Sequence, residues 1–274
     1  MKDNRFIVWS SILFLLALTA CKSEFERIRA SGDAELLYKK ANEYYEKEQY
    51  QRAQTLYELV LSSFRGRKEA EDIYFRYANT YYQLQQYILG AYYYKNFSQT
   101  YTSSPLREEA DFMSAYCNYK LSPVFRLDQS YSLKAIEELQ LFVNTYPRSE
   151  RVAECNRLID EMRAKLERKA YDEGQLYFNL RMYQAATKVF ENLLRDFPET
   201  RNVEQVRYMI VRSAYLLAEN SVVSRQQERY EEALEKTNRF LARFPNGRYT
   251  KEINGYKIVS QRKLNQFNNV GYQN

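Results

Sequence analysis

The sequence predicts an all-α protein built from tandem helix pairs, and three observations lead to this prediction. Within residues 171–198, two small residues twelve positions apart mark the two helices of one pair. An aromatic residue follows the second small residue after four positions, and an aromatic–proline pair closes the segment. The same arrangement recurs along the chain, which contains only seven glycines and five prolines among 274 residues. Few helix breakers and a recurring helical spacing favour a stack of helix pairs.

The copy in residues 171–198 shows the spacing most completely. Gly174 and Tyr177 are spaced G-x2-Y, Ala186 and Phe190 are spaced A-x3-F, and Pro198 closes the copy. This is most of the tetratricopeptide repeat (TPR) pattern. We expect the two small residues to let the helices approach, the phenylalanine to fill the wedge between them, and the proline to stop the second helix.

Four further copies accompany this one. Their equivalent residues are Ala41, Tyr44, Ala53 and Tyr57; Ala78, Tyr81, Gly90 and Tyr94; Ala115 and Ala135; Ala214 and Ala233. In the last two copies the small residues are twenty and nineteen positions apart. This predicts longer turns, through Asp128 in repeat three and over 219–227 in repeat five. Because one repeat cannot bury its apolar face alone, the sequence predicts a TPR-type α-solenoid of five helix-pair repeats.

The order of the repeats predicts two lobes. The first helix should begin near Asp33, a suitable N-cap residue, and repeats one and two should cover 34–64 and 70–101. The second helix of repeat three should begin near Ser132. No break occurs from Glu150 to about Phe178, which predicts a long connecting helix between repeats three and four. The lobes would then be residues 33–149 and 150–264, followed by a polar tail, 265–274, that should fray.

The N-terminus predicts an export signal. Lys2 and Arg5 precede an apolar run over 6–18, which is too short to span a bilayer comfortably. Residues 18–21 read Leu-Thr-Ala-Cys and resemble the lipobox of bacterial lipoproteins.

That resemblance implies removal of residues 1–20 and acylation of Cys21, followed by a lipidated tether over 21–32. An ordinary cleavable signal with a chance cysteine is the alternative. The residue after the cysteine is Lys22, whereas an aspartate there would resemble an inner-membrane retention signal; this favours the outer membrane.

Composition and charge argue against several functional classes. The chain has no histidine, the commonest general base and metal ligand, and nothing resembles a phosphate loop or a nucleophile elbow. We therefore expect no catalytic residue, no metal site and no cofactor. The net charge of +6 does not point to nucleic acid, because basic and acidic residues alternate along helix faces, as over 161–169. Whether Cys117 and Cys155 form a disulfide stays open at this point.

Four segments in a fixed order carry a resemblance to a known family. They are Ala-Tyr-Cys-Asn-Tyr-Lys-Leu-Ser-Pro at 115–123, Leu-Asp-Gln-Ser at 127–130, Tyr-Pro-Arg-Ser at 146–149 and Leu-Arg-Asp-Phe-Pro at 194–198. Together with the lipobox and the five repeats, they resemble the BamD family in a form like that of Bacteroidetes. This family comprises lipoprotein subunits of the outer-membrane β-barrel assembly machine. The resemblance covers about 33–244.

The resemblance implies a periplasm-facing protein on the outer membrane. Its last repeats, four and five, would dock on the barrel subunit BamA, and its first repeats, one to three, would receive unfolded outer-membrane proteins.

The first helices of repeats one to three supply a candidate groove. In a TPR unit, residues spaced four and then three apart on the first helix point into the concave face. These residues are Tyr38, Asn42, Tyr45, Phe75, Asn79, Tyr82, Phe112, Tyr116 and Tyr119. Asparagine pairs with an extended main chain through a donor and an acceptor, and aromatic rings add apolar area at little entropic cost. The groove therefore suits a partly extended, aromatic-bearing segment such as an unfolded barrel strand. The alternative is that these tyrosines fill gaps between the repeats.

The sequence as a whole predicts a non-enzymatic scaffold and substrate receptor in outer-membrane protein assembly. A general TPR envelope adaptor, which binds the tail of one partner protein, is the alternative. A lipoprotein enzyme that uses carboxylates is disfavoured, because we find no second domain in the sequence.

Overall fold

The computed structural model describes residues 24–271, so Cys21 and the signal segment lie outside the described residues. Within this range the regular structure is helical, which confirms the all-α prediction. The helices are α1 Glu24–Arg29, α2 Ala34–Glu46, α3 Tyr50–Val60, α4 Ala70–Gln83, α5 Tyr87–Thr100, α6 Arg107–Leu121, α7 Ser130–Thr145, α8 Val152–Asn179, α9 Tyr183–Asp196, α10 Val203–Glu219, α11 Val223–Arg243 and α12 Thr250–Gly271. None of these helices is both long enough and apolar enough to span a bilayer.

The helices follow the predicted repeat order. Repeats one, two, three and five are α2–α3, α4–α5, α6–α7 and α10–α11, and repeat four pairs the second half of α8 with α9. Asp33 is the N-cap of α2, where its carboxylate accepts hydrogen bonds from the backbone N–H groups of Glu35 at 3.0 Å and Leu36 at 3.1 Å. These bonds satisfy two of the donors that a helix start leaves unpaired, which explains why the helix begins there.

The chain divides into two compact units. Among the described residues, the first contains 24–123 together with Ser130–Ile159, and the second contains Val124–Gln129 together with 160–271. The division falls inside α8, ten residues after the position expected from the sequence. Helix α8 itself is continuous over 28 residues, as the unbroken helical pattern predicted.

Small and aromatic residues form the cores as the repeat pattern predicted. The small residues of the pattern are fully buried at Ala41, Ala53, Ala78, Ala115, Ala135, Ala186 and Ala233. The aromatic residues beside them, Tyr57, Tyr94 and Phe190, are also fully buried. In repeat four, a Cβ added to Gly174 would lie 2.6 Å from Cε1 of Phe190, so the ring occupies the space that the missing side chain leaves. The prediction that Phe190 fills the wedge between the two helices is confirmed. The atoms that contact Gly174 belong to the Phe190 ring and not to the backbone of the second helix.

Both cysteines of the body lie in the first unit as buried free thiols. Burial raises the pKa of Cys117 to about 12 and that of Cys155 to about 11. Cys117 packs near Gly90, where an added Cβ would lie 3.1 Å from its sulfur. These thiols therefore act as small core groups.

One expectation about a helix end is wrong. Repeat five has no long turn over 219–227, because α10 ends at Glu219 and α11 begins at Val223. The additional residues extend α11, and the Gln226 side chain donates to the backbone oxygen of Ser221 at 3.0 Å. The fraying expected after Leu264 stays a prediction: α12 continues through Gly271, and Phe267 packs against a core formed by α10 and α11. In repeat three, α7 begins at Ser130, two residues before the expected start.

Candidate peptide-binding surface

The nine residues predicted to line a groove form three rows on the first helices of repeats one to three. Each row repeats with a period of 37 residues: positions 38, 75 and 112; 42, 79 and 116; 45, 82 and 119. They lie on α2, α4 and α6, all of which belong to the first unit. Equal spacing on equivalent helices places chemically similar side chains at equivalent places in the stack.

An arginine that the sequence interpretation missed joins the residues of repeat one to repeat two. The Arg76 guanidinium bonds to Glu46 of repeat one at 2.6 Å and to Asp72 of its own helix at 2.9 Å. Its Cζ lies 5.0 Å from the centroid of the Tyr45 ring, and the Tyr38 hydroxyl donates to Asp72 at 3.4 Å. The spacing of Asp72 and Arg76, four residues apart on a helix, was the available signal.

Arg76 and Tyr45 do not titrate near physiological pH. Burial opposes the charge of Arg76, but its hydrogen bonds to Glu46 and Asp72 raise its pKa above the ordinary arginine value. Burial raises the pKa of Tyr45 to about 12. Arg76 is therefore a permanent cation beside the neutral Tyr45 phenol, and its charge is paired with the carboxylates of Glu46 and Asp72.

The two asparagines connect the helices of their own repeats. The Tyr57 hydroxyl donates to Oδ1 of Asn42 at 2.7 Å, and Nδ2 of Asn79 donates to the Tyr94 hydroxyl at 2.9 Å. Oδ1 of Asn79 is buried and has no hydrogen-bond partner. Each amide thus uses one polar atom inside its repeat. A peptide contact by either amide stays a prediction.

Phe112 does not line a surface, so its prediction as a groove residue is wrong. Its side chain is only 2% exposed. Cζ of Arg151 lies 4.0 Å from the ring centroid, and Phe142 packs edge-on against the ring. Arg151 is held there by Glu109, 2.6 Å away. The segment that precedes α8 covers this position, a contact between residues about 40 positions apart that helical spacing on α6 alone does not encode.

Three of the predicted tyrosines in repeats two and three, Tyr82, Tyr116 and Tyr119, have neighbouring rings. Tyr116 lies between its neighbours, with its ring centroid 6.1 Å from that of Tyr82 and 5.5 Å from that of Tyr119. The latter pair is nearly parallel, at 23°. All three tyrosines are half-buried, as is Phe75. We call the eight half-buried residues of the three rows the first-helix surface: Tyr38, Asn42, Tyr45, Phe75, Asn79, Tyr82, Tyr116 and Tyr119.

Comparison with known proteins identifies the family of the chain. The sequence profile described as "YfiO: Outer membrane lipoprotein" matches residues 30–206 and 189–264. These matches extend over nearly all of the described chain. The chain belongs to this family of outer membrane lipoproteins. Membership confirms the BamD-type assignment made from the repeats and motifs, and it supports a location in the cell envelope.

Solved structures with detectable similarity to this member of the YfiO family include two proteins. The TPR2AB domain of yeast Sti1, in its complex with pHSP90, is 14% identical, covers 83% of this chain and 98% of its own, and gives a TM-score of 0.38. The apo form of RapI is 13% identical, covers 97% and 94% respectively, and gives a TM-score of 0.34. No curated protein sequence matches the chain.

Proposed function

We propose that this YfiO-family lipoprotein is a non-enzymatic scaffold and substrate receptor in the assembly and insertion of β-barrel outer-membrane proteins. The observation that carries the proposal is the family match over residues 30–264. In this proposal, Cys21 anchors the protein to the outer membrane and the body faces the periplasm. Repeats one to three receive unfolded barrel segments, and repeats four and five bind a BamA-like subunit.

The chemistry of the first-helix surface supports the receptor part of the proposal. Its half-buried rings offer apolar area whose rotamers are already restricted by their neighbours, so little entropy is lost when a flexible segment binds. Arg76, at the boundary between repeats one and two, holds the Tyr45 ring in place, while its own charge is paired with Glu46 and Asp72. An extended segment with aromatic side chains complements such a surface, because it brings both rings and main-chain carbonyl groups.

Photo-crosslinking in cells tests the receptor proposal. A photoreactive phenylalanine at Tyr45 or Tyr82 should capture many different barrel precursors. Tyr92 provides the matched control, because it lies on the second helix of repeat two and is 57% exposed. The same group at that position should capture few precursors. If Tyr45 and Tyr82 instead capture one recurring soluble protein, the chain is an envelope adaptor and the receptor proposal is wrong.

The anchor is tested separately, since Cys21 lies outside the described residues. Cys21→Ala should abolish incorporation of radiolabelled palmitate and leave a soluble or uncleaved protein. Undiminished labelling of this variant would rule out acylation at Cys21.

A further inference from the structure

The second unit contains a cavity within repeats four and five, to which the proposed function gives a partner but no recognition residue. It has a volume of about 220 Å³ and lies between α9, α10 and α11. Leu194, Ile210 and Phe240 provide apolar walls, and Arg207 of α10 also lines the cavity. A cavity of this size accommodates one side chain rather than a folded element. Its mixture of apolar walls and a cation is typical of a site for an amphipathic group.

The guanidinium of Arg207 lacks a partner for one of its donors. Its Nε–H is buried and has no hydrogen-bond acceptor. Burial, followed by the like charges of Arg243 and Arg239, lowers the pKa of Arg207 below the ordinary arginine value. A buried donor without an acceptor, near two further cations, destabilises the isolated chain. An anion that pairs with the terminal amino groups of Arg207 would offset the repulsion among these three cations.

The other charged groups of the cavity already have partners. Nζ of Lys236 lies 2.7 Å from the carboxylate of Glu191, which is the one acidic residue that lines the cavity, and 3.1 Å from Glu232. Arg239 pairs with Glu235 on its own helix. The acidic groups in the surroundings are thus engaged by other cations, and Arg207 is the group that an incoming anion would satisfy.

We propose that this cavity binds the carboxylate of an acidic peptide segment from a partner protein, with Arg207 as the recognition residue. The planar guanidinium fork matches a carboxylate in a two-bond arrangement. Leu194, Ile210 and Phe240 are suited to the aliphatic stem of a glutamate, whereas a free phosphate would bring only polar atoms to these walls. The site lies outside the first-helix surface, and the inference rests on the proposed function only in that repeats four and five bind a partner protein.

Binding of two matched peptides to the full chain in detergent micelles tests this site. The probes are fluorescein-labelled, amidated peptides with the sequences Gly-Leu-Glu-Leu-Gly and Gly-Leu-Gln-Leu-Gly, followed by fluorescence anisotropy. Hydrogen bonds to charged groups contribute enough that the glutamine peptide should bind about tenfold more weakly. Arg207→Gln should weaken binding of the glutamate peptide by a similar factor. Arg207→Lys, which keeps the charge but not the fork, should retain part of the affinity.

Arg195→Gln is the matched control, because this arginine of α9 lies in the same unit, is well exposed and pairs with Asp196. It should leave peptide binding unchanged. Equal affinity for the two peptides, or unchanged binding by a folded Arg207→Gln variant, would contradict the proposal. Displacement of the glutamate peptide by inorganic phosphate at equal concentration would also contradict it, because the ligand would then be a small anion.

Thermal unfolding without peptide separates recognition from a structural role. Arg207→Met removes the unsatisfied donor and fills the same space with apolar atoms, so the Tm should rise above that of the parent. Arg195→Met should not raise it. A lower Tm for Arg207→Met would show that Arg207 stabilises the fold, and the assignment of a recognition role would be abandoned.

Discussion

At the scale of the residue, Gly174 illustrates how the absence of a side chain at one position determines the packing of a repeat. The fully buried ring of Phe190 occupies the space beside it, with three ring atoms within 2.9 Å of an added Cβ. Gly174→Ala should therefore lower the free energy of unfolding by about 1 to 3 kcal/mol, because the ring must shift in a close-packed core. Urea unfolding followed by circular dichroism measures this loss.

Gly255 of α12 provides the control for this substitution. An added Cβ there would meet nothing within 4 Å. Gly255→Ala should stabilise the second unit by up to about 1 kcal/mol, because alanine loses less backbone entropy in a helix. If the two alanine variants unfold alike, Gly174 does not mark the crossing of the helices.

The residues that could be predicted from the sequence are those that act through local spacing. The Asp33 cap and the buried alanines are of this kind, because each follows from a pattern within one helix or one helix pair. Arg151 and Arg207 could not be assigned in this way. The first covers Phe112 from about 40 positions away, and the unsatisfied donor of the second depends on which helices surround it.

Helix α12 shows, at the scale of the element, how the helix after the last repeat is held. The helix and the residue before it pack on repeat five: the ring of Tyr249, just before the helix, stacks on Tyr208 with centroids 4.1 Å apart, and Tyr256 stacks on Tyr215 at 4.4 Å. Ile253, between the two tyrosines in the sequence, is fully buried. The helix therefore covers an apolar face that α10 and α11 would otherwise expose, as expected for the terminal element of a repeat stack.

A matched pair of isoleucines tests this packing. Ile253→Ala should lower the free energy of unfolding by about 2 to 5 kcal/mol, because it removes buried methylene and methyl groups and leaves a cavity. Ile258 lies on the same helix and is 65% exposed, so Ile258→Ala should change the stability by less than about 0.5 kcal/mol. Equal effects in thermal unfolding would show that α12 does not dock through this face.

Helix ends were less predictable than helix faces. In repeat five, the wider spacing of the small residues indicated a longer turn, but the structure uses those residues to lengthen α11 to 21 residues. Both solutions preserve the spacing of the small residues, and only the packing of the helix decides between them. The same applies to the polar segment after Leu264, where Phe267 supplies the apolar contact that composition alone obscured.

At the scale of the whole molecule, two compact units permit a division of labour. The first-helix surface belongs to the first unit, and repeats four and five belong to the second. Because each unit has its own core, substitutions at half-buried positions of one should leave the other folded. The proposed receptor and scaffold roles should therefore be separable by mutation.

The combined substitution of Tyr45, Tyr82 and Tyr119 by alanine tests this separation. These tyrosines form one row of the first-helix surface, and each aromatic contact contributes about 0.5 to 1.5 kcal/mol beyond its buried area. The triple variant should bind an aromatic-ended barrel peptide measurably more weakly in fluorescence anisotropy. It should still copurify with a BamA-like subunit, whereas truncation of repeats four and five should abolish that copurification.

Tyr92→Ala with Tyr131→Ala, at exposed positions on second helices, should leave both activities unchanged. If the triple variant is folded by circular dichroism and binds the peptide as tightly as the parent, the three tyrosines serve the packing of the repeats and the receptor surface lies elsewhere.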